Sequence, residues 1–424
     1  MSTRLIDSLA STEALAAVFS DEAVLRAMLD FEAALARAQA RVGIIPEAAA
    51  AAIAAAATPD GFDIAELSRQ ALRAGTPSIP LVRMLTAKVS PPEAAGFVHW
   101  GATSQDVVDT AMVLLLKQCQ PIFERDHQRI TRGLLRLSNE HAATVMLGRT
   151  LLQPAPPITF GLKAAGWLAS IQRSWNEVSK YFDASKYFQF GGASGTLASL
   201  GDHGLAVSEA LADELQLQCP DAPWHTHRDR LASLLASLAI YTASLGKMAL
   251  DISLLMQFEV AEAAEPGGDG RGGSSTMPHK RNPTACMLTI AAAKRTPGLL
   301  SNFLAGMLHE HERALGGWQS EWATIEAIVQ AAGVAAESMA EVAEGLTVDA
   351  QRMLRNIEAT QGSVFAEKAM MQLAAEIGRS AAHQAVEDCV RRTGSPPDLP
   401  GLRDPEDYLG CAEVFRKRLL KGIA

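Results

Sequence analysis

The stretch HRDRLASLLASLAIYTASLGKMALDISLLMQFEV, from His227 to Val260, constrains the fold more than any other part of the chain. It contains no proline, and as one helix it would reach about 50 Å at 1.5 Å per residue. Leu231, Leu235, Leu238, Ile240, Leu250 and Leu254 among its apolar residues point nearly all round the axis instead of along one stripe. A helix apolar on every side must be covered on every side. Lys247 and Asp251 inside the run argue against a bilayer, so other helices are the expected cover. Long candidates at roughly 105–140, 157–183, 284–313 and 317–345 can supply it, and a bundle core shared between subunits is expected.

The rest of the chain agrees with an all-α class. Apolar spacing at i, i+3 and i+4 recurs from DEAVLRAMLDFEAALARAQARVG to EKAMMQLAAEIGRSAAHQAVEDCV, and alternating strand patterns are almost absent. EAAAAAIAAAA reads as a short helix stopped by TPDG, because alanine is the strongest helix former. Boundaries are expected near residues 108 and 347, giving an N-terminal helical domain (1–108), a central long-helix domain (109–347) and a C-terminal helical domain (348–424). A 48% apolar composition is ample for a core. The net charge of −9 disfavours nucleic-acid and acidic-membrane partners, so an anionic ligand would need a local cationic pocket. Cys119, Cys219, Cys286, Cys389 and Cys411 show no framework spacing, and MSTRLIDSLA has no apolar core of signal length. A soluble, cytoplasmic protein is expected.

Three separated segments carry more polar groups than a bundle needs. In HWGATSQDVVDT a small-residue turn presents Thr103 and Ser104 ahead of a helix, where hydroxyls and free N–H groups can meet a carboxylate. The same residues also make an ordinary N-cap, with Asp109 on the helix surface. In LGRTLLQPAPPITFG, Arg149 and Gln153 precede a proline-broken helix entry, and an arginine can grip a carboxylate with two parallel bonds. The third is GGDGRGGSSTMPHKRNP, Gly267 to Pro283. It lacks the small residue two places after serine that a nucleophile elbow requires, and no GK[ST] follows to make a phosphate cradle. What remains is a glycine-hinged loop able to close over an anion. It would bring a serine hydroxyl to the ligand's carbon while Lys280 and Asn282 hold carboxylates and the helix start after Pro283 adds its dipole. PWHTHRDR places His225 and Arg228 at the mouth of the long helix, and neither it nor HEHER has metal-ligand spacing.

GGSSTMPHKRNP resembles the G-S-S-x-M-P-x-K-x-N loop of the fumarase/aspartase superfamily, and HWGATSQDVVDT and GRTLLQPA resemble its first and second conserved regions in the expected order. The likeness runs from VFSDEAVLRAMLDFEAALARAQ to DPEDYLG, most of the chain. Within the superfamily, PWHTHRDR, GGASGTLASLG and ERALGGWQSEW are similar to the bacterial 3-carboxy-cis,cis-muconate cycloisomerase branch. Leu151 stands where adenylosuccinate and argininosuccinate lyases carry a histidine after the RT of the second region, which favours the cycloisomerase branch.

The resemblance implies a three-domain helical fold, a homotetramer with a 20-helix core, and sites shared between subunits. It implies lactonisation of a small polycarboxylate, 3-carboxy-cis,cis-muconate, with neither metal nor organic cofactor, since the substrate supplies both nucleophile and electrophile. By motif position Ser275 is the expected acid/base, with His225 and His99 as weaker catalytic candidates. Thr103, Ser104, Arg149, Gln153, Lys280, Asn282 and Arg313 are expected to bind substrate. Another lyase of the superfamily acting on a succinate derivative, or a non-catalytic member like a lens crystallin, stays open.

Overall fold

The computed structural model describes residues 5–268, 272–273, 276–277 and 279–423. Among them are sixteen α-helices and four short strands, in keeping with the expected all-α class. The elements that position the functional groups are helix α1 (Asp21–Val42), α2 (Ser104–Glu140), strands β1 (Val145–Thr150) and β2 (Gln153–Thr159), α3 (Phe160–Ala184), α4 (Asp229–Leu255), α5 (Thr284–Gly306), α6 (Gly317–Gly345) and α7 (Ala350–Glu358).

Local chemistry sets these boundaries. In α1 the Ser20 side chain caps the start by accepting from the Ala23 N–H, and Gly43 closes the end in the left-handed conformation at φ 83°. The alanine-rich segment is the short helix Glu47–Ala56. The long apolar stretch yields α4, 27 residues or about 40 Å, shorter than the sequence reading because residues 227–228 precede the helix and the chain turns away from it over residues 256–260. Its Leu231, Leu235, Leu238, Met248 and Ile252 are buried, whereas Ile240 and Leu250 stay exposed in the single chain. By length and composition alone α4 could cross a bilayer, but 61% of its most apolar window is packed inside the protein.

The chain divides into two compact units, each assembled from three separated stretches. The first comprises residues 1–125, 175–242 and 292–334. Its packing includes Leu15, Leu29, Phe31 and Leu35, and the tilted pair Phe123 and Phe182 with ring centroids 5.9 Å apart. The second comprises residues 126–174, 243–291 and 335–424, with a cluster formed by Val145, Leu147, Ile357, Phe365, Val386 and Leu402.

One element departs from the sequence reading. The segment read as a proline-broken helix entry is a β-hairpin, with β1 and β2 antiparallel and Thr150 opposite Gln153. Prolines 154, 156 and 157 hide the strand in the sequence, yet an edge strand tolerates them. The two-residue turn is Leu151–Leu152, both left-handed at φ 51° and 65° and both largely exposed. Asparagine–glycine is the ordinary choice for such a turn, so no turn signal marks it.

Candidate active site

In the first unit the start of α2 is built around two buried carboxylates. Asp106 accepts four hydrogen bonds: from the backbone N–H groups of Thr103 (3.0 Å), Gly191 (3.1 Å) and Gly192 (3.0 Å), and a 2.7 Å contact with His225 Nε2. Glycine is required at 191, since a Cβ there would lie 2.6 Å from His225 Cε1. Asp109 is buried too, so it is not the surface residue that an ordinary cap would leave. It takes both terminal nitrogens of Arg228 at 2.8 and 3.0 Å, the Trp318 indole N–H at 2.9 Å and the Gln105 amide at 3.0 Å. Arg228 binds Glu321 as well, its Nη2 at 2.6 Å.

These carboxylates differ in charge behaviour. Burial works to raise the Asp109 pKa, but Arg228 and the surrounding donors bring it below the usual carboxylate range. Burial raises Glu321, and the nearby Asp109 charge adds to that, with Arg228 opposing. Two anions thus share one guanidinium, and Glu321 is the more easily protonated.

His99 and Arg313 occupy the same unit. His99 Nδ1 lies 2.6 Å from Glu32 Oε1, and burial, which would discharge the ring, is outweighed by the Glu32 charge and hydrogen bond with help from Asp106; its pKa is raised. Arg313 donates Nη2 to the carbonyls of Gly192 (2.7 Å) and Ala193 (3.1 Å), clasping the loop that also wraps Asp106. Its Nε is buried with no hydrogen-bond partner among the described residues. Thr103 and Ser104 are half-buried at the helix start.

The remaining candidates belong to the second unit. Arg149 grips the buried Glu262 with two bonds of 2.9 and 2.6 Å, and Asn356 donates to the same carboxylate at 2.7 Å. Its guanidinium is therefore the strut of the hairpin, while Gln153 stands exposed next to the turn. Lys280 lines a cleft of 710 Å³ together with His279, Arg281, Met277, Phe258 and Asp349. Asn282 closes the base of the loop: its N–H donates to the Gly272 carbonyl at 2.8 Å, and its amide reaches Gly273 O at 3.4 Å. Gly272 is left-handed at φ 66°, and a Cβ there would sit 2.7 Å from Asn282 O. Ser275 lies outside the described residues.

The helix start after Pro283 does not offer its dipole to a ligand. The N–H groups of Ala285 and Cys286 are taken by the buried Glu265 at 3.1 and 2.7 Å. A carboxylate twenty residues upstream caps α5, a pairing that spacing could not reveal.

The comparisons with known proteins follow the same motifs. The family model described as Lyase matches residues 9–298, which span all three polar segments. The chain belongs to this lyase family. Among its relatives, a 3-carboxy-cis,cis-muconate cycloisomerase of Bradyrhizobium diazoefficiens is 44% identical, with 100% of this chain and 99% of the relative covered. A nitrosuccinate lyase of Streptomyces davaonensis is 38% identical over 96% of this chain and 92% of its own length. The crystal structure of the 3-carboxy-cis,cis-muconate lactonizing enzyme from Pseudomonas putida superimposes with a TM-score of 0.92 at 42% identity, covering 99% of this chain and 98% of that one.

Sequence reasoning missed the carboxylates that organise these lyase motifs: Glu32, Glu262, Glu265 and Glu321. One had a readable signal. Glu32 and Gln39 lie seven residues apart on the apolar face of α1, where both are buried, and Gln39 Nε2 donates to the Trp100 carbonyl at 2.6 Å. Polar residues on a face otherwise committed to the core have partners to find.

Proposed function

We propose that the chain is a cycloisomerase that converts 3-carboxy-cis,cis-muconate to 4-carboxymuconolactone. The observation that carries this reading is the full-length 44% identity to an enzyme of that name. The cationic cleft at Lys280 supports it, because the substrate is a tricarboxylate. One substrate carboxylate oxygen adds to an alkene carbon, the new C–O bond forming as the alkene π pair moves toward the neighbouring carboxylate. That group carries the developing aci-carboxylate charge until an acid delivers a proton to the α carbon. Ser275 is the proposed acid, and Lys280 and Asn282 the proposed holders of carboxylate charge. Stabilising charge where it develops is the largest contribution such a site can make. Thr103, Ser104, Gln153 and Arg313 are proposed carboxylate contacts, with His225 and Arg149 fixing their surroundings.

Purified protein mixed with 3-carboxy-cis,cis-muconate should bleach the conjugated diene absorbance without releasing fumarate. The likeness to a nitrosuccinate lyase supplies the competing reading. Fumarate formation from a substituted succinate, with the muconate left intact, would establish that reading instead.

We also infer a cytoplasmic homotetramer whose sites are completed between subunits. Ile240 and Leu250 on α4 and the exposed leucine pair at the hairpin turn are apolar surface that neighbouring copies would cover. Light scattering should give about four times the 45.1 kDa chain mass at micromolar concentration, and a monomer would exclude shared sites.

A further inference from the structure

Glu32 is fully buried, and among the described residues His99 is the one hydrogen-bond partner of its carboxylate: Oε1 meets Nδ1 at 2.6 Å and Oε2 has none. The contrast with Asp106 is instructive. Four donors compensate Asp106, whereas the charge of Glu32 is balanced by a single imidazole. A buried carboxylate with so little support is stable as an anion only beside a cation. The contact also fixes the ring chemistry, because Nδ1 must carry a proton to donate to Glu32, leaving Nε2 for an incoming group. The ring retains 19% exposure, and the backbone of His99 itself is left-handed at φ 59°, a conformation uncommon outside glycine and asparagine. Gln39, two turns along α1 from Glu32, holds the next carbonyl in the chain, that of Trp100. One face of α1 therefore secures both the side chain of His99 and the turn that carries it.

We propose that Glu32 is a positioning residue that keeps His99 a cationic donor, with Nε2–H available to a substrate carboxylate; this rests on the functional reading above. The charged groups facing His99 are Glu32 from α1 and Asp106 from α2, both anionic and both favouring the protonated ring. With a raised pKa, His99 carries its charge below that pKa and loses it as pH rises through it. Substrate affinity should follow the same course, so KM rises on the alkaline side.

The test has two arms. In protein labelled with 13C at histidine Cε1, the resonance lost in His99→Asn identifies His99 without any substrate. Its midpoint should lie above the ordinary histidine value of about 6.5 and fall by one unit or more, roughly, in Glu32→Gln. In the kinetic arm, Glu32→Gln should raise KM for 3-carboxy-cis,cis-muconate about 10-fold near neutral pH, the difference between a charge-assisted and a neutral hydrogen bond. The alkaline KM inflection should move to lower pH while kcat changes less, and Glu32→Asp should restore part of the inflection. A His99 midpoint unchanged by Glu32→Gln overturns the proposal whatever the enzyme's substrate. A shifted midpoint with an unmoved KM inflection overturns the substrate contact. An inactive wild type with the expected His99 titration would fault the functional reading alone.

Discussion

Arg228→Met is expected to destabilise the protein by about 3–5 kcal/mol, the usual consequence of removing one partner from a buried ionic network. Arg228 is fully buried and lies just ahead of α4, where it joins Asp109 of α2 to Glu321 of α6. Its ring neighbour Trp224 lies 4.8 Å from the guanidinium, so no water-filled space replaces the lost charge easily. Methionine fills much of the volume but takes away the guanidinium that the two buried carboxylates share, leaving Glu321 with the His309 imidazole at 3.2 Å. The pH dependence gives the mechanism away. Glu321 already has a raised pKa, from burial first, and losing Arg228 raises it further. A carboxylate whose folded pKa exceeds its unfolded value favours the folded state below the unfolded pKa and loses that contribution as pH rises through the folded one. The variant's deficit should therefore shrink on acidification from pH 7 towards pH 5, as followed by thermal or urea unfolding. Adding Glu321→Gln should recover part of the loss at neutral pH. A deficit independent of pH and unrelieved by the second substitution would mean that packing, not charge, carries the effect.

The same network explains what could be read from the sequence and what could not. Helices α1, α2, α4 and α6 follow from apolar periodicity, because each buries a face whose spacing depends on the helix alone. The polar organisation depends on which distant residues meet. Asp109 looked like a surface residue of an ordinary cap until Arg228, 119 positions away, closed on it. Glu265 looked unremarkable because it is separated from the α5 N–H groups by the loop that it helps to anchor. The hairpin failed for a different reason: three prolines and a left-handed leucine pair contradict local strand and turn preferences, and its conformation is held by the Arg149–Glu262 pair. The loop glycines read as hinges, whereas at Gly272 the structure shows a close approach to Asn282 that leaves no room for a Cβ. The motif residues could be found individually, but their carboxylate partners required the fold.

Ser275→Ala should lower kcat by roughly 10²–10⁴ with little change in KM, because an acid acts mainly in the transition state. At the base of the loop Asn282 ties to Gly272, and Lys280 lines the adjoining cleft. Serine is a weak acid or base on its own, and the cations of Lys280 and Arg281 are the nearest means in sequence of stabilising its alkoxide. Lys280→Met should therefore act twice. It weakens ground-state binding, so KM rises, and it withdraws charge stabilisation from the serine, so kcat falls as well. Ser274 is the internal control: the same side chain one position earlier, its alanine variant should retain most activity. The discriminating measurement is the ratio of the two serine variants at saturating 3-carboxy-cis,cis-muconate. Near-normal turnover by Ser275→Ala would move the proton to another group, and His225 would be next to test. That imidazole is held by Asp106 at Nε2 and so has only Nδ1 to offer a substrate. His225→Gln would then have to produce the large kcat loss expected of Ser275, whereas a histidine that only braces the loop at Gly191 would show reduced stability with kcat largely preserved in the folded fraction.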